Sequence, residues 1–166
     1  MKKLSALAIL VIGFAANASA QSTASASASA TIVTPISITK TIDLDFGNVG
    51  ASGAAGTVSI SPAGLRAATG GATLPATAGT VSSASFNVAG QANYTYAITL
   101  PASVVISSGA NNMTVNAFTS NPALTGLLSG AGAQTVTVGA TLNVGAAQAA
   151  GVYTSVTPFD VTVNYN

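Results

Sequence analysis

The sequence predicts an all-β protein, an antiparallel Ig-like two-sheet sandwich of about eight or nine short strands. Three observations predict it. Apolar residues recur at every second position in short runs such as "NYTYAITLP" (93–101) and "QTVTVGATLNVG" (134–145), the period of a strand with one buried face. Gly, Asn and Pro clusters separate those runs at intervals of about ten residues. No window of a dozen residues carries a helical stripe with caps.

The first run spans residues 22–49, with a break at Thr34-Pro35 because proline cannot donate to a ladder. Its second half, Ile36 to Phe46, carries large residues and reads as the first core strand. Lys40 falls where a core residue is expected, which marks a bulge or a stem lying over the sheet edge. "GTVSISP" (56–62) is a second strand, with Val58 and Ile60 on one face. "GLRAATGGATLPATAG" (64–79) reads as turns with at most a short strand around Thr73 and Leu74. Phe86 and Val88 fall in step within 80–90, and Tyr94, Tyr96, Ile98 and Leu100 alternate within 93–101. "SVVIS" (103–107) follows, and Met113, Val115 and Ala117 share a side of 113–119. "ALTGLLS" (123–129) is ambiguous. Val136, Val138, Ala140, Leu142 and Val144 alternate without interruption. "GVYTSV" (151–156) and "PFDVTVNYN" (158–166) close the chain, the latter with Phe159, Val161, Val163 and Tyr165 on one face.

An eight-stranded outer-membrane barrel shares the alternation. It needs an apolar band about 25 Å tall between two aromatic girdles, with strands of about nine to eleven residues. The eight aromatics beyond residue 20 are spread singly and many runs are shorter, which favours the sandwich.

The N-terminus "MKKLSALAILVIGFAANASAQS" has a basic start, a short apolar run and the small residues Ala18-Ser19-Ala20. This pattern predicts a signal peptide over 1–20, cleaved between Ala20 and Gln21, in an exported bacterial protein. Residues 21–34 form an alternating Ala/Ser extension, and 35–166 the β-sandwich domain. No later stretch is apolar enough for a membrane helix, so no span is expected after signal removal.

Beyond residue 20 the charges are Lys40, Arg66, Asp43, Asp45 and Asp160, two cations against three carboxylates. Nucleic-acid binding needs a basic face and is excluded; so low a charge favours association. Cys, His, Trp and Glu are absent. Disulfides, His-based triads, Cys nucleophiles, common zinc sites and Glu-based glycosidase pairs therefore drop out. Asp43 and Asp45 sit two apart on one strand face, but calcium wants six to eight oxygens and no acidic loop lies nearby. They read as a solvated charged face, and Arg66 as a surface charge. Gly-rich "GASGAAG" precedes no helix and cannot cradle a phosphate. The two N-glycosylation patterns, at Asn93 and Asn112, are chance matches in a bacterial protein. Phe86 and Phe159 read as core. No catalytic residue, metal or cofactor is expected.

"PISITKTIDLDFGNV" (35–49), "TVTVGATLNVG" (135–145) and "GVYTSVTPFDVTVNYN" (151–166) resemble an exported bacterial Ala/Thr/Gly-rich β family of unknown function. The first and last are also similar to segments of archaic chaperone–usher pilins and spore-coat-U-like domains. That resemblance implies an incomplete sandwich lacking its last strand, filled first by a periplasmic chaperone and then by the N-terminal extension of the next subunit. It makes Ala24, Ala26, Ala28, Ala30 and Ile32 the donor strand, and Phe159, Val161, Val163 and Tyr165 the groove edge. Self-association into fibres, with a periplasmic chaperone and an usher as partners, would follow. A methyl group of alanine gains roughly 0.8 kcal/mol on burial, while ordering each backbone residue costs about 1–2 kcal/mol. An arm with one Ala per two residues therefore either pairs its backbone on both sides, in a groove or between two strands, or stays a flexible tail; an autonomous edge strand is not expected. The expectation is a non-enzymatic, fimbria-like surface subunit. The alternatives are a secreted carbohydrate- or ligand-binding module using loops 107–112 and 119–133, and the barrel.

Overall fold

The computed structural model describes residues 21–166; the expected signal peptide, with Ala20, lies outside the described residues. Val33–Asn166 forms one compact unit, and residues 21–32 fall outside it. Eleven strands are described in chain order: β1 (Ser37–Ile42), β2 (Gly50–Ile60), β3 (Arg66–Thr73), β4 (Ala84–Ala89), β5 (Thr95–Thr99), β6 (Ser103–Ser108), β7 (Asn111–Asn121), β8 (Thr125–Leu127), β9 (Ala133–Val144), β10 (Thr154–Ser155) and β11 (Thr162–Tyr165). They make two antiparallel sheets. The larger runs β1-β4-β9-β7-β6-β10, with β2 and β3 attached to β9, and the smaller runs β11-β5-β8. Both sheets end in edge strands, so the architecture is a sandwich and not a closed barrel.

The longest strand, β9, organises the larger sheet. Its uninterrupted alternation puts Val136, Val138, Ala140, Leu142 and Val144 on the inner face, each at most 4 % exposed. One edge of β9 pairs with β7. The other edge pairs with β4 over Ala133–Val138 and then with β2 over Ala140–Val144. Gly139 occupies the junction, where a Cβ would collide with the Ile60 carbonyl oxygen as β2 replaces β4.

Two core clusters follow from this division. One packs Ala84, Phe86, Val88, Val136 and Val138 of the larger sheet against Tyr96, Ile98, Leu128, Val161 and Val163. The other gathers Val58, Ile60, Val115, Ala140, Leu142 and Val144 around Phe46. Phe118 packs against both.

Several expectations need correction. The segment 64–79 holds the eight-residue β3, not a short strand around Thr73 and Leu74. Its small residues serve pairing with β2, including the close approach of Gly70 and Gly71 to the backbone of Ala54 and Ala55. The ambiguous 123–129 yields the three-residue β8, with Leu128 fully buried beyond its end. Only Thr154 and Ser155 of 151–156 are strand. Ala117 does not share the inner face of Met113 and Val115. Asn116 pairs with Thr141 but Thr119 pairs with Gly139, so β7 bulges, Ala117 takes φ 49° outside, and Phe118 turns inward. Tyr94 is 43 % exposed, ahead of the start of β5. The first core strand is shorter than expected, ending at Ile42, whose side chain is half exposed.

Of the two readings of Lys40, a bulge or a stem over the sheet edge, the bulge is present. Lys40 pairs with Phe86 and Ile42 with Ser85, leaving Thr41 as the extra residue, whose hydroxyl donates to the Ser85 carbonyl at 3.0 Å. The Lys40 ammonium turns outward to both carboxylate oxygens of Asp43, at 2.6 and 2.8 Å.

Candidate functional site

The C-terminal strand β11 pairs with β5 alone and ends its sheet. Alternation places Val161 and Val163 inward, 9 % and 7 % exposed, while Thr162 and Asn164 point out. Phe159 and Tyr165 are half-buried against the same cluster, and the Phe159 ring lies 5.0 Å from that of Phe118. All four pack on the same cluster, but only Val163 and Tyr165 belong to β11. Phe159 and Val161 lie in the segment leading into it, so the expected four-residue strand face is shorter than predicted. The second edge of β11 has no strand partner among the described residues.

At the end of that strand, Tyr165 makes a clamp. Its hydroxyl accepts from the Gln91 N–H at 2.6 Å and donates to the Thr34 carbonyl at 2.7 Å. The Thr34 N–H donates to the Gln91 side-chain oxygen at 3.2 Å. Both backbone groups of Thr34 are thus held just before β1. Gly90 leaves room for the phenol, since a Cβ there would strike the Tyr165 hydroxyl. Tyr94 packs edge-on against the Tyr165 ring at 5.6 Å.

Residues 21–32 carry no regular secondary structure, and Ala24, Ala26, Ala28, Ala30 and Ile32 are exposed, Ile32 at 97 %.

Around the second cluster lies a feature the sequence did not announce, a cavity of about 1140 Å³. Its floor is the inner face of β6, β7 and β9: Val104, Ile106, Met113, Val115, Leu142 and Val144. Ile42, Leu44 and Phe46 line one wall, and the connection from Gln148 to Phe159 contributes the other. That connection is tied down sparsely. Thr154 and Ser155 pair with Ser107 and Ile106, the Gln148 amide donates to the Tyr153 hydroxyl at 2.8 Å, and that hydroxyl donates to the Ala149 carbonyl at 2.7 Å. Val152 and Val156 stay exposed. In sequence, the sole signal is a turn-rich stretch between two strands, "GAAQAAG" (145–151).

The charged residues do structural work. Asp45 accepts the Gly47 N–H at 2.8 Å in a local turn, while Asp43 is engaged by Lys40, so the two carboxylates are not a pair acting on one ligand. Arg66 is not a free surface charge: its guanidinium donates to the carbonyls of Phe46 and Asn48, at 2.7 and 3.0 Å, and holds the loop after β1. Tyr96 is fully buried, its hydroxyl donating to the Gln134 side-chain oxygen at 2.6 Å, and burial raises its pKa above the ordinary phenol value. Among the described residues, no group of three or more His, Cys, Asp or Glu side chains could hold a metal ion, and no helix is long and apolar enough to cross a membrane.

The class the fold defines is an all-β antiparallel sandwich, here with a one-sided terminal strand and a cavity that has an aliphatic floor. Residues 36–165 match the family described as Domain of unknown function (DUF4402), and the chain belongs to that family. No curated protein and no solved structure matches it.

Proposed function

We propose that this chain is an exported, non-enzymatic structural subunit of a bacterial cell surface, assembling by strand complementation in the manner of chaperone–usher pilins. One copy's residues 22–33 supply the strand that another copy's β11 lacks. The observation that supports this reading is β11 itself: its inner face is built into the core while one backbone edge has no strand partner among the described residues. An added strand would satisfy that edge through main-chain hydrogen bonds, with alternate side chains entering the interior. The Ala24–Ala30 alternation has strand period but too little apolar surface to order itself, which suits an arm ordered only on arrival at a partner. In this reading the arm is delivered in the periplasm, where a chaperone protects the edge and an usher exports the subunit.

Deleting residues 21–33 leaves a folded subunit that no longer polymerises, seen as a single monomeric peak beside the high-mass species of the intact chain. An intact chain that stays monomeric with its chaperone and usher co-expressed refutes the proposal.

A further inference from the structure

We propose that the cavity bounded by β6, β7, β9 and the 148–159 connection is a binding site for an uncharged long-chain apolar molecule, such as a fatty alcohol or an isoprenoid alcohol. Domain interiors hold few voids larger than a water molecule, and ligand sites are commonly about 300–1,000 Å³ with predominantly apolar linings. This space is about 1140 Å³ over a floor of six aliphatic or thioether side chains. That floor offers water almost no hydrogen bonds, while Asp45, Asn48, Gln148 and Tyr153 supply polar groups elsewhere in the lining, an arrangement suited to an apolar chain with an uncharged polar end. Met113 lies in the floor, an adaptable side chain that fits itself to chains of varied shape.

The occupant's charge follows from the rim. Three ionic groups line the cavity, Lys40, Asp43 and Asp45, and Lys40 is already paired with Asp43. The remaining carboxylate disfavours an anionic head, which excludes a fatty acid as the preferred ligand. The residue-22–33 arm is also a poor fit, because its alternating methyl groups are too small to fill a space this large. Entry is available at the 148–159 connection, which is fastened to the sheet by the two residues of β10 and by the Gln148 amide donating to the Asn112 carbonyl at 3.4 Å, while the Gln148–Tyr153–Ala149 hydrogen bonds only brace the connection internally.

The site is independent of the assembly reading: one is measured by ligand binding and the other by particle size, so either can fail alone. The test titrates the purified exported chain with N-phenyl-1-naphthylamine, an uncharged fluorescent probe, and displaces it with dodecanol or with laurate. Saturable binding of one probe per chain is expected, with dodecanol displacing it at least tenfold more effectively than laurate. Met113→Trp, which fills the floor, lowers probe affinity at least tenfold while the β-sheet circular dichroism is retained. Val104→Trp, on β6, serves the same purpose if the first variant does not fold. Absence of saturable binding overturns the proposal, as does unchanged affinity in a folded filling variant. Laurate preferred over dodecanol overturns the assigned ligand class, and displacement of the probe by a peptide of residues 22–33 assigns the cavity to the arm instead.

Discussion

The two halves of the larger sheet are built from the same strand, β9, yet they are closed differently. Over Val136 and Val138 a second sheet lies across the face, and Tyr96, Ile98, Leu128, Val161 and Val163 complete a core of fully or nearly fully buried side chains. Over Leu142 and Val144 no second sheet lies across the face among the described residues. Phe46 and its neighbours from one loop and the 148–159 connection cover the face incompletely, leaving the cavity. A strand's alternation thus specifies which face is apolar, and the connections determine whether that face is filled.

Truncation on each side tests the contrast most strongly. Leu128→Ala, in the closed half, costs about 3–5 kcal/mol of unfolding free energy; Leu142→Ala, beside the existing void, costs about 2. Urea midpoints measure both, and equal losses would remove the distinction between the halves. Next is Gly139→Ala at the junction, expected to cost about 1–3 kcal/mol through overpacking against the Ile60 carbonyl. A neutral result there would mean that β2 and β4 can slide apart without penalty.

Smaller again is Tyr96→Phe, about 1 kcal/mol for the lost hydrogen bond to Gln134; Gln134 keeps the Leu127 N–H as a donor at 3.0 Å. The same residue gives the closed half a pH signature. The folded state favours the neutral phenol, so its contribution is fully present below the unfolded pKa of about 10 and is lost as pH rises through the folded value. Stability measured between pH 9 and 11 should fall less steeply in Tyr96→Phe than in the parent. Least is Lys40→Ala: its ion pair with Asp43 is solvent-exposed, worth at most about 0.5 kcal/mol, and should weaken further in salt.

How much of this was legible in the sequence follows from the same contrast. The alternating strands β9, β5 and β11 and the bulge at Lys40 could be read directly, because burial on one face leaves a period of two and an exception to that period is visible. Strand β3 could not, since "RAATGG" holds Ala, Thr and Gly where a strand usually shows branched residues, and its small side chains suit backbone contact with β2. The inward turn of Phe118 was hidden because nothing in "NAFT" advertises a left-handed alanine. The inner face of Phe159, Val161, Val163 and Tyr165 was legible from parity alone. The Tyr165 clamp and the cavity depend on contacts between segments far apart in the chain, which local periodicity does not encode.

The clamp has a mechanical consequence. Thr34 is bonded to Gln91, 57 residues away, and to Tyr165, 131 residues away. A pull on residues 21–33 therefore reaches the chain's last strand and the turn after β4 before it can peel β1 from the sheet edge. Tension entering at one terminus of the unit is shared with the other, through Tyr165 and Gln91 together.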